Sequence, residues 1–392
     1  MKQKMNVKSI FYLLNDWVNR FVDRLAGNSS CIEISQDIAE RFRKLGLKTR
    51  RESFVCRPEG FMGYLIVVFF LYVAGIAFFA YSAYFMSLLC FLLAALSNIL
   101  EFVLFLPALD FLFPVRRCVN VSAELEPSGP VKRIVYVTAH HDAARELPYL
   151  LRTQLLYPVK VLGTEIFTVA GFFLSVFFLI VGTDRSPYYV LLFFIAGVPF
   201  LFQKATFVFR RAVPGAGDNL VACAILLELA AYLKQNPPAN TRVVFVSFDA
   251  EESGLRGSRS FVKRHASEFD DRCCVINIDS IYREKDVHIL VSDINGTLKL
   301  SETLAREFAY VASSYGFSLD ICRMTFGGGG TDAASFARCN VPAVSIIGIE
   351  NKLFRRNLVY HTRYDLPGSI EPAAVEKVFY SVLAYVSAAD KE

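Results

Sequence analysis

The chain of 392 residues is 54% hydrophobic and only 20% charged, and its mean hydropathy of +0.38 is too high for a protein that is soluble throughout. Basic residues beside apolar segments account for its formal net charge of +5, so no nucleic-acid-binding surface is indicated. Nine cysteines, an odd number that includes the adjacent Cys273 and Cys274, do not form the pattern of a disulfide framework and favour a reducing compartment.

The first long apolar segment, from Gly60 to Leu100, contains no charged residue. It is long enough for two membrane-spanning helices, with a bend near residues 80–84. A second uncharged stretch at 166–182 continues at 186–203 after a short polar turn and predicts another helical hairpin. Buried core helices are the alternative, but aromatic-rich runs of this length favour membrane spans. The first run begins too far from the N-terminus to be a cleaved signal peptide.

Basic residues flank both predicted hairpins, whereas the turns inside the hairpins carry no net positive charge. The positive-inside rule therefore predicts an integral, multi-pass membrane protein of about four spans, whose termini and catalytic domain face the cytoplasm. The flanking residues are Lys44, Lys48, Arg50, Arg51, Arg57, Arg116, Arg117, Lys160, Lys204, Arg210 and Arg211.

Outside the hairpins, strand-like and helical patterns alternate, which predicts an α/β fold: a mixed, mostly parallel sheet sandwiched by helices, with two inserted transmembrane helical hairpins. A helix and an extended piece are predicted near the N-terminus at 35–45 and 48–55. The other predicted strands are 134–138, 243–248, 274–278, 287–291 and 343–347, and the other predicted helices are 219–234, 255–265, 298–315 and 372–388.

These patterns divide the chain into five segments, in which the hairpins interrupt one domain instead of anchoring it at one end. The segments are the opening part of the domain at 1–60, the first hairpin at 61–112, the continued domain at 113–160, the second hairpin at 161–209, and residues 210–392, which complete the domain and its candidate metal site.

Two adjacent acids, Glu251 and Glu252, follow an apolar strand and precede a glycine. Acids at the carboxyl end of a buried strand lie where open α/β sheets place their ligands. Of two adjacent glutamates there, one can bind a metal and the other can transfer protons. A charged strand-to-helix loop is the alternative, but two acids directly after a fully apolar strand favour a site. The nearby Asp249 has no assigned role and is interpreted as structural.

A second strand ends in the pattern His140-His141-Asp142. A ligand histidine is usually oriented through its other ring nitrogen by a carboxylate, and this spacing can supply one. A solvated polar strand end is the alternative. Because His140 and His141 project to opposite faces, only one of them should belong to a site.

Three more residues and one loop complete the set of candidates. Asp218 lies in a glycine-flanked loop, where it alone reads as a helix cap or, instead, as a carboxylate that bridges two cations. Asp279 ends an apolar strand and His361 lies in a polar run, and each alone is more typical of a structural role. The glycine-rich loop 326–332 lacks the Gly-Lys-Ser/Thr ending of a phosphate-binding loop, so it predicts the wall of a cleft.

Together the candidates indicate a metal site more specifically than any one of them does alone. Two histidines plus carboxylates suit zinc in a hydrolytic site, and two zinc ions that share one carboxylate would clamp a hydroxide and polarise a carbonyl. The five potential ligands, all at strand ends or in loops, are His140, Asp218, Glu252, Asp279 and His361.

The order of these motifs resembles the co-catalytic di-zinc aminopeptidases, the twenty-eighth metallopeptidase family, over essentially all of the chain outside the hairpins. The resemblance implies a zinc aminopeptidase-like fold and two zinc ions per chain. By position, it implies that Asp218 bridges the metals and that Glu252 and His361 complete one metal site.

The same resemblance implies that His140 and Asp279 complete the other metal site. It also implies two residues that assist catalysis without binding metal. Glu251 would be the general base, and Asp142 would orient His140.

The implied function is that of a membrane-bound zinc metallopeptidase of the aminopeptidase type, which hydrolyses peptide or amide bonds with a zinc-bound hydroxide and Glu251 as the base. A glutaminyl cyclase-like zinc acyltransferase with a single zinc, and a non-catalytic membrane scaffold with a peptidase fold, are the alternatives. The expected partners are a peptide substrate and the lipid bilayer, with no nucleic acid, and the oligomeric state stays open.

Overall fold

The computed structural model describes residues 5–147, 150–151, 154–182, 187–206, 210–351 and 358–391. Its α-helices are α1 Val7–Arg20, α2 Ser29–Lys44, α3 Gly60–Ala80, α4 Tyr84–Asn98, α5 Tyr157–Val181, α6 Tyr188–Ala205, α7 Val221–Gln235, α8 Arg256–Arg264, α9 Glu302–Ser314, α10 Ala333–Ala337 and α11 Pro372–Ala389. Its strands are β1 Lys48–Cys56, β2 Arg116–Leu125, β3 Arg133–His140, β4 Thr241–Phe248, β5 Cys273–Ile281, β6 His288–Leu290, β7 Ser292–Asp293, β8 Leu298–Lys299, β9 Asp320–Cys322 and β10 Ala343–Gly348.

Eight strands form one sheet in the order β1-β2-β4-β3-β5-β10-β6-β9. The four central strands, β4, β3, β5 and β10, are parallel, whereas β2 joins antiparallel on one side and β6 on the other. The predicted mixed, mostly parallel sheet is therefore confirmed. Every residue of β5 is buried, as expected for a central parallel strand covered on both faces.

Helices pack on this sheet around one hydrophobic core. Trp17 of α1 and Phe42 of α2 are fully buried, and the Phe42 ring stacks on Phe245 of β4 with 5.8 Å between ring centroids. The indole N–H of Trp17 donates to the Asp37 carboxylate at 2.7 Å, so burial of this ring leaves no polar atom without a partner.

Most predicted elements outside the hairpins are present, with boundaries that shift by a few residues. The prediction of a helix over 298–315 is wrong in its first part, because Leu298–Lys299 pairs with Ser292–Asp293 as a short strand. The helix begins at Glu302, where the Ser301 hydroxyl caps it by accepting the N–H of Leu304. Helix α1 and strand β2 were not predicted, and α2 begins six residues before the predicted helix.

Helices α3 to α6 form a separate apolar bundle. Among the described residues, five helical segments are long and apolar enough to cross a membrane. Only 28–39% of the residues in four of them are buried within the protein, whereas 83% are buried in the fifth, Ala216–Gln235, which lies in the core of the α/β domain. The predicted turn of the second hairpin falls largely on residues 183–186, outside the described residues.

Polar contacts hold the two hairpins of this bundle together. The Ser87 and Ser175 hydroxyls, one from each hairpin, lie 2.9 Å apart, and the Tyr72 hydroxyl donates to the carbonyl oxygen of Phe194 at 2.8 Å. Such interhelical hydrogen bonds are typical of membrane helices. Lipid tails are as apolar as the helix surfaces, so the hydrophobic effect does not drive these helices together. The protein thus consists of an α/β domain attached to a bundle of four helices that are long and apolar enough to cross a membrane.

The register of the central strands brings the predicted site residues to one edge of the sheet. His140 at the end of β3 lies opposite Phe248, the last residue of β4. Thr138 lies opposite Asn277 of β5, so Asp279 follows at the level of His140. The turn that carries Glu251 begins at this same edge.

Candidate active site

One half of the site is built around His140, which is buried at the end of β3. Its Nε2 atom lies 3.2 Å from Oδ1 of Asp218 and 3.9 Å from Oδ1 of Asp279. The Oε2 atom of Glu251 is 3.8 Å from the same nitrogen. Three elements distant in sequence therefore converge on this imidazole.

The other half is built around His361. Its Nε2 atom lies 3.0 Å from Oδ2 of Asp218 and 3.1 Å from Oε1 of Glu252. Asp218 thus presents one carboxylate oxygen to each histidine, and the five predicted ligands lie together. The Tyr360 ring stacks on the His361 imidazole at 3.8 Å between centroids.

His141 faces away from this cluster, as the alternation of a strand requires. Its Nδ1 atom lies 2.8 Å from the Ser247 hydroxyl. Asp249 is also outside the cluster, because its carboxylate accepts the backbone N–H of Val119 and the thiol of Cys31. Neither residue belongs to the cluster around His140 and His361, and the structural role of Asp249 stays a prediction.

The loop that carries Asp218 is held by a residue to which the sequence assigned no role. The carboxylate of Asp365 accepts the backbone N–H groups of Gly217 and Asp218 at 2.7 and 3.2 Å, and it also accepts the Tyr282 hydroxyl. Asp218 has non-helical backbone angles three residues before α7, and its side chain faces the histidines. The helix-cap interpretation of Asp218 is therefore wrong.

Asp142 holds the turn that carries the two glutamates. Its carboxylate oxygens accept the backbone N–H groups of Glu251 and Glu252, each at 3.1 Å. One of them lies 3.4 Å from Nδ1 of His140. Asp142 therefore positions a strand end and the adjacent turn together.

Arg24 is a buried cation that joins two parts of the site from outside the predicted motifs. Its guanidinium donates to the carbonyl oxygens of His141, Pro214 and Gly215, as well as to that of Phe21 in its own segment. Nothing in the sequence distinguishes it from the many exposed arginines. Its role follows only from the tertiary structure, which packs the segment after α1 against the chain at His141 and at Pro214–Gly215.

Charge in the site is dominated by buried acids. Burial and the charge of Asp218 raise the pKa of Glu252 to about 8, although His361 opposes this effect. Burial, together with Glu252, Asp279 and Asp332, also raises the pKa of Glu251 well above its usual range, against the effect of His140.

The two histidines carry the compensating charge when no metal is bound. Burial alone would lower the pKa of His361, but Glu252 and Asp218 outweigh it and raise that pKa to about 10. The pKa of His140 is raised in the same way by Glu251, Asp142 and Asp218. A cluster with more carboxylates than histidines is suited to divalent cations, which would supply the missing positive charge.

The donor atoms fit zinc in number, type and spacing. Two ligand atoms on one tetrahedral zinc are about 3.3 Å apart, given bonds of about 2.0–2.1 Å. The distances from the Nε2 atoms of the two histidines to the oxygens of Asp218 and Glu252 are 3.0 to 3.2 Å, close to this ligand–ligand distance. The distance from His140 to Asp279, 3.9 Å, is slightly longer. The Nε2 atom of His140, which faces Asp218 and Asp279, is buried without a normal hydrogen bond among the described residues, as expected of a metal-ligating nitrogen.

A cavity of about 120 Å³ opens in front of the ligands. One wall is the predicted cleft wall, Gly327–Gly330, and Tyr360 adds to it. A further part of the lining is apolar and comes from the ends of the first hairpin, which the sequence did not indicate. The residues of that part are Phe61, Met62, Tyr64, Phe102 and Phe105.

The chain is similar to known zinc peptidases. Residues 199–386 match the sequence model of peptidase family M28, a region that includes every predicted ligand except His140. The putative endoplasmic reticulum metallopeptidase 1 of Schizosaccharomyces pombe is 25% identical over 175 residues, which are 44% of this chain and 20% of that protein. Aminopeptidase YwaD of Bacillus subtilis is 29% identical over 170 residues, 42% of this chain and 35% of that protein.

Solved structures share the fold of the whole chain. A glutaminyl cyclase from Fimbriiglobus ruber superposes with a TM-score of 0.61 at 14% identity, over 99% of this chain and 96% of its own. A zinc aminopeptidase from Bacillus subtilis superposes with a TM-score of 0.58 at 15% identity over the same shares. These likenesses establish the fold alone. The chain spans about a fifth of the length of the endoplasmic reticulum relatives it matches.

Proposed function

Because residues 199–386 of this chain belong to peptidase family M28, a family of zinc-dependent metallopeptidases, we propose that the protein is a membrane-bound zinc aminopeptidase. It removes amino-terminal residues from peptides by hydrolysis of peptide or amide bonds. The observation that carries the proposal is the placement of one buried carboxylate, Asp218, with an oxygen facing each of two histidines. The carboxylate of Glu251 lies beside them, 3.8 Å from Nε2 of His140.

The five candidate ligands would hold two zinc ions. Asp218 would be shared between them, Glu252 and His361 would be the other ligands of one ion, and His140 and Asp279 would be those of the second. The spacing of the donor atoms supports this division, because each histidine approaches a different oxygen of Asp218.

Glu251 is the general base. Zinc, when bound, polarises the scissile carbonyl and makes the attacking water more acidic. The Glu251 carboxylate takes the proton of that water and then gives it to the amine that leaves as the peptide bond breaks.

The protein crosses the membrane four times, through α3, α4, α5 and α6, and its α/β domain lies in the cytoplasm. Low burial and high hydropathy of these four helices support the number of spans. The basic residues on the domain side of both hairpins support the orientation.

Zinc content and hydrolysis of the purified full-length protein test the proposal. We expect two zinc ions per chain and release of leucine from leucine amide. The Glu251→Gln variant should retain both ions, because Glu251 is not a ligand in this assignment, and should lose about 100- to 10,000-fold in kcat, the range for loss of a general base.

A substrate with amino-terminal glutamine separates the alternatives. A glutaminyl cyclase would keep that residue in the product and release ammonia, with one zinc ion per chain, whereas the aminopeptidase releases free glutamine. A non-catalytic scaffold would bind no zinc and would convert neither leucine amide nor the substrate with amino-terminal glutamine. Two bound zinc ions without cleavage of any peptide or amide would refute the aminopeptidase.

A further inference from the structure

The substrate cavity lies between the ends of two membrane helices. Phe61, Met62 and Tyr64 belong to the first turns of α3, and Phe102 belongs to the last turn of the segment Tyr84–Val103 that forms the second candidate span. Phe105 lies two residues after the end of that segment, and its ring packs on Phe61 with 4.9 Å between ring centroids. The polypeptide therefore enters and leaves the membrane at the wall of the site.

This wall is fixed to the α/β domain by four side chains of that domain. Arg259 donates to the carbonyl oxygen of Phe105 and Arg338 to that of Leu104, each at 2.6 Å. Asn295 donates to the carbonyl oxygen of Phe102 at 2.6 Å, and Arg256 pairs with Asp110. The end of the first hairpin is thus an integral part of the site and not a loose tether.

The position of the helix ends sets the height of the site above the bilayer. The 21 residues of α3 extend about 31 Å at 1.5 Å per residue, which is about the thickness of the hydrocarbon core. A span of that length leaves its first turn at the membrane boundary. Because Phe61 lies in that turn and also lines the metal cavity, the metal site lies at the membrane surface.

The segment between α4 and β2, which continues from the cavity residues Phe102 and Phe105, also exposes apolar side chains. Leu106, Phe111, Leu112 and Val115 are each at least 40% exposed, in a segment that directly follows the second span. Exposed apolar residues beside a span are covered by lipid in the membrane. The chain segment that adjoins the cavity wall therefore presents apolar surface to the membrane.

The cavity itself accepts one apolar side chain. Its volume of about 120 Å³ is close to that of an apolar cavity of about 150 Å³ that takes up benzene. Apart from the metal ligands and Glu251, its lining residues among the described part of the chain are aromatic, aliphatic or glycine. This lining favours a leucine- or phenylalanine-sized residue.

We propose that the substrate is a membrane-anchored peptide whose amino terminus projects only a few residues from the bilayer. The enzyme removes its apolar terminal residue at the membrane surface. This inference rests on the aminopeptidase function proposed above. It adds the class of substrate, namely membrane-anchored peptides with a short amino-terminal segment outside the bilayer.

A series of anchored peptides tests the height of the site. The full-length protein is reconstituted in vesicles of phosphatidylcholine and phosphatidylglycerol. The peptides begin with leucine and end in a hexadecyl amide, with four or twelve residues between the leucine and the anchor, and a third peptide has the four-residue sequence without an anchor. Extended spacers of these lengths reach at most about 14 and about 42 Å, and released leucine is measured.

We expect the four-residue anchored peptide to be cleaved within about twofold of the rate for the twelve-residue one. At equal total concentration, it should be cleaved at least tenfold faster than the free peptide. Cleavage of the long-spacer and free peptides with loss of more than tenfold for the short spacer would overturn the proposal and leave the aminopeptidase function intact. Failure to cleave any of the three would overturn both. The Glu251→Gln protein controls for contaminating peptidases.

Discussion

At the scale of single residues, two carboxylates outside the five candidate ligands hold the loops of the site in place. Asp142 accepts two backbone N–H groups of the glutamate turn and lies beside His140, and Asp365 does the same for the Asp218 loop. Their positions in sequence are close to the ligands, but only Asp142 has the spacing of a known pattern. Asp365 gains its role from a contact across 147 residues, which no local pattern can indicate.

The Asp142→Asn variant should weaken zinc binding. The amide keeps the volume of the side chain but replaces one acceptor oxygen with a donor that cannot accept a turn N–H. We expect a 10- to 100-fold loss of zinc affinity, the usual effect of a residue that orients a ligand, with activity restored by excess zinc. Competition with a chelator measures the affinity. Asp320→Asn, on an exposed edge strand, is the matched control, and equal affinities of the two variants would contradict the role of Asp142.

At the scale of elements, an ion pair outside the metal site connects β1 to the end of α8. The Nε2 atom of His265 lies 2.9 Å from the Glu52 carboxylate, and both side chains are mostly buried. The hydrogen bond to Glu52 raises the pKa of His265 above 6.5, against the effect of burial. Burial would raise the pKa of Glu52, but His265 outweighs it and holds that pKa below 4.5.

This pair should stabilise the domain in a defined pH window. The histidine contribution is fully present below pH 6.5 and is lost as the pH rises through the raised pKa of His265. The glutamate contribution is present above pH 4.5 and is lost as the pH falls through the lowered pKa of Glu52. Both contributions coexist between about pH 4.5 and pH 6.5.

His265→Gln should therefore destabilise the protein by about 1 kcal/mol near pH 6 and by much less near pH 9. Thermal unfolding in detergent at both pH values measures the difference. Glu268→Gln removes the more exposed partner of the same imidazole and should have a smaller effect. An equal loss of stability for His265→Gln at both pH values would show that packing, and not charge, is responsible.

At the scale of the whole molecule, two helical hairpins are inserted into an α/β domain and pack into one bundle. The first hairpin leaves the sheet after β1 and returns to it at β2, and these strands are paired along their whole length. The second departs after His140 and returns before Asp218. Both hairpins thus leave from and return to the region of the candidate metal site, so the proposed membrane insertion and the proposed catalysis lie at the same end of the domain.

The orientation of the domain can be measured through Cys339, an exposed cysteine. If the domain is cytoplasmic, a membrane-impermeant maleimide should label Cys339 only after the cells are permeabilised. The Cys339→Ser variant gives the background from the other thiols. Labelling in intact cells would place the domain on the other side of the membrane and contradict the positive-inside prediction.

The sequence by itself determined the α/β fold, the apolar hairpins and the set of candidate ligands. Hydrophobic periodicity and the residues that end each strand are local properties, and the parallel register then brings strand ends such as His140 and Asp279 to one edge. Boundaries such as the capped start of α9 at Ser301 were less accurate, because a single side-chain hydrogen bond decides them.

Only the tertiary structure decided which residues support the ligands and what encloses the substrate. The burial of Arg24 against three carbonyl oxygens, and the wall formed by Phe61 and Phe105, depend on contacts between segments far apart in sequence. In the sequence, the phenylalanines are indistinguishable from lipid-facing ones such as Phe173, which is 63% exposed. Their role follows from the docking of the first apolar hairpin on the α/β domain, an arrangement that no local pattern of apolar residues can specify.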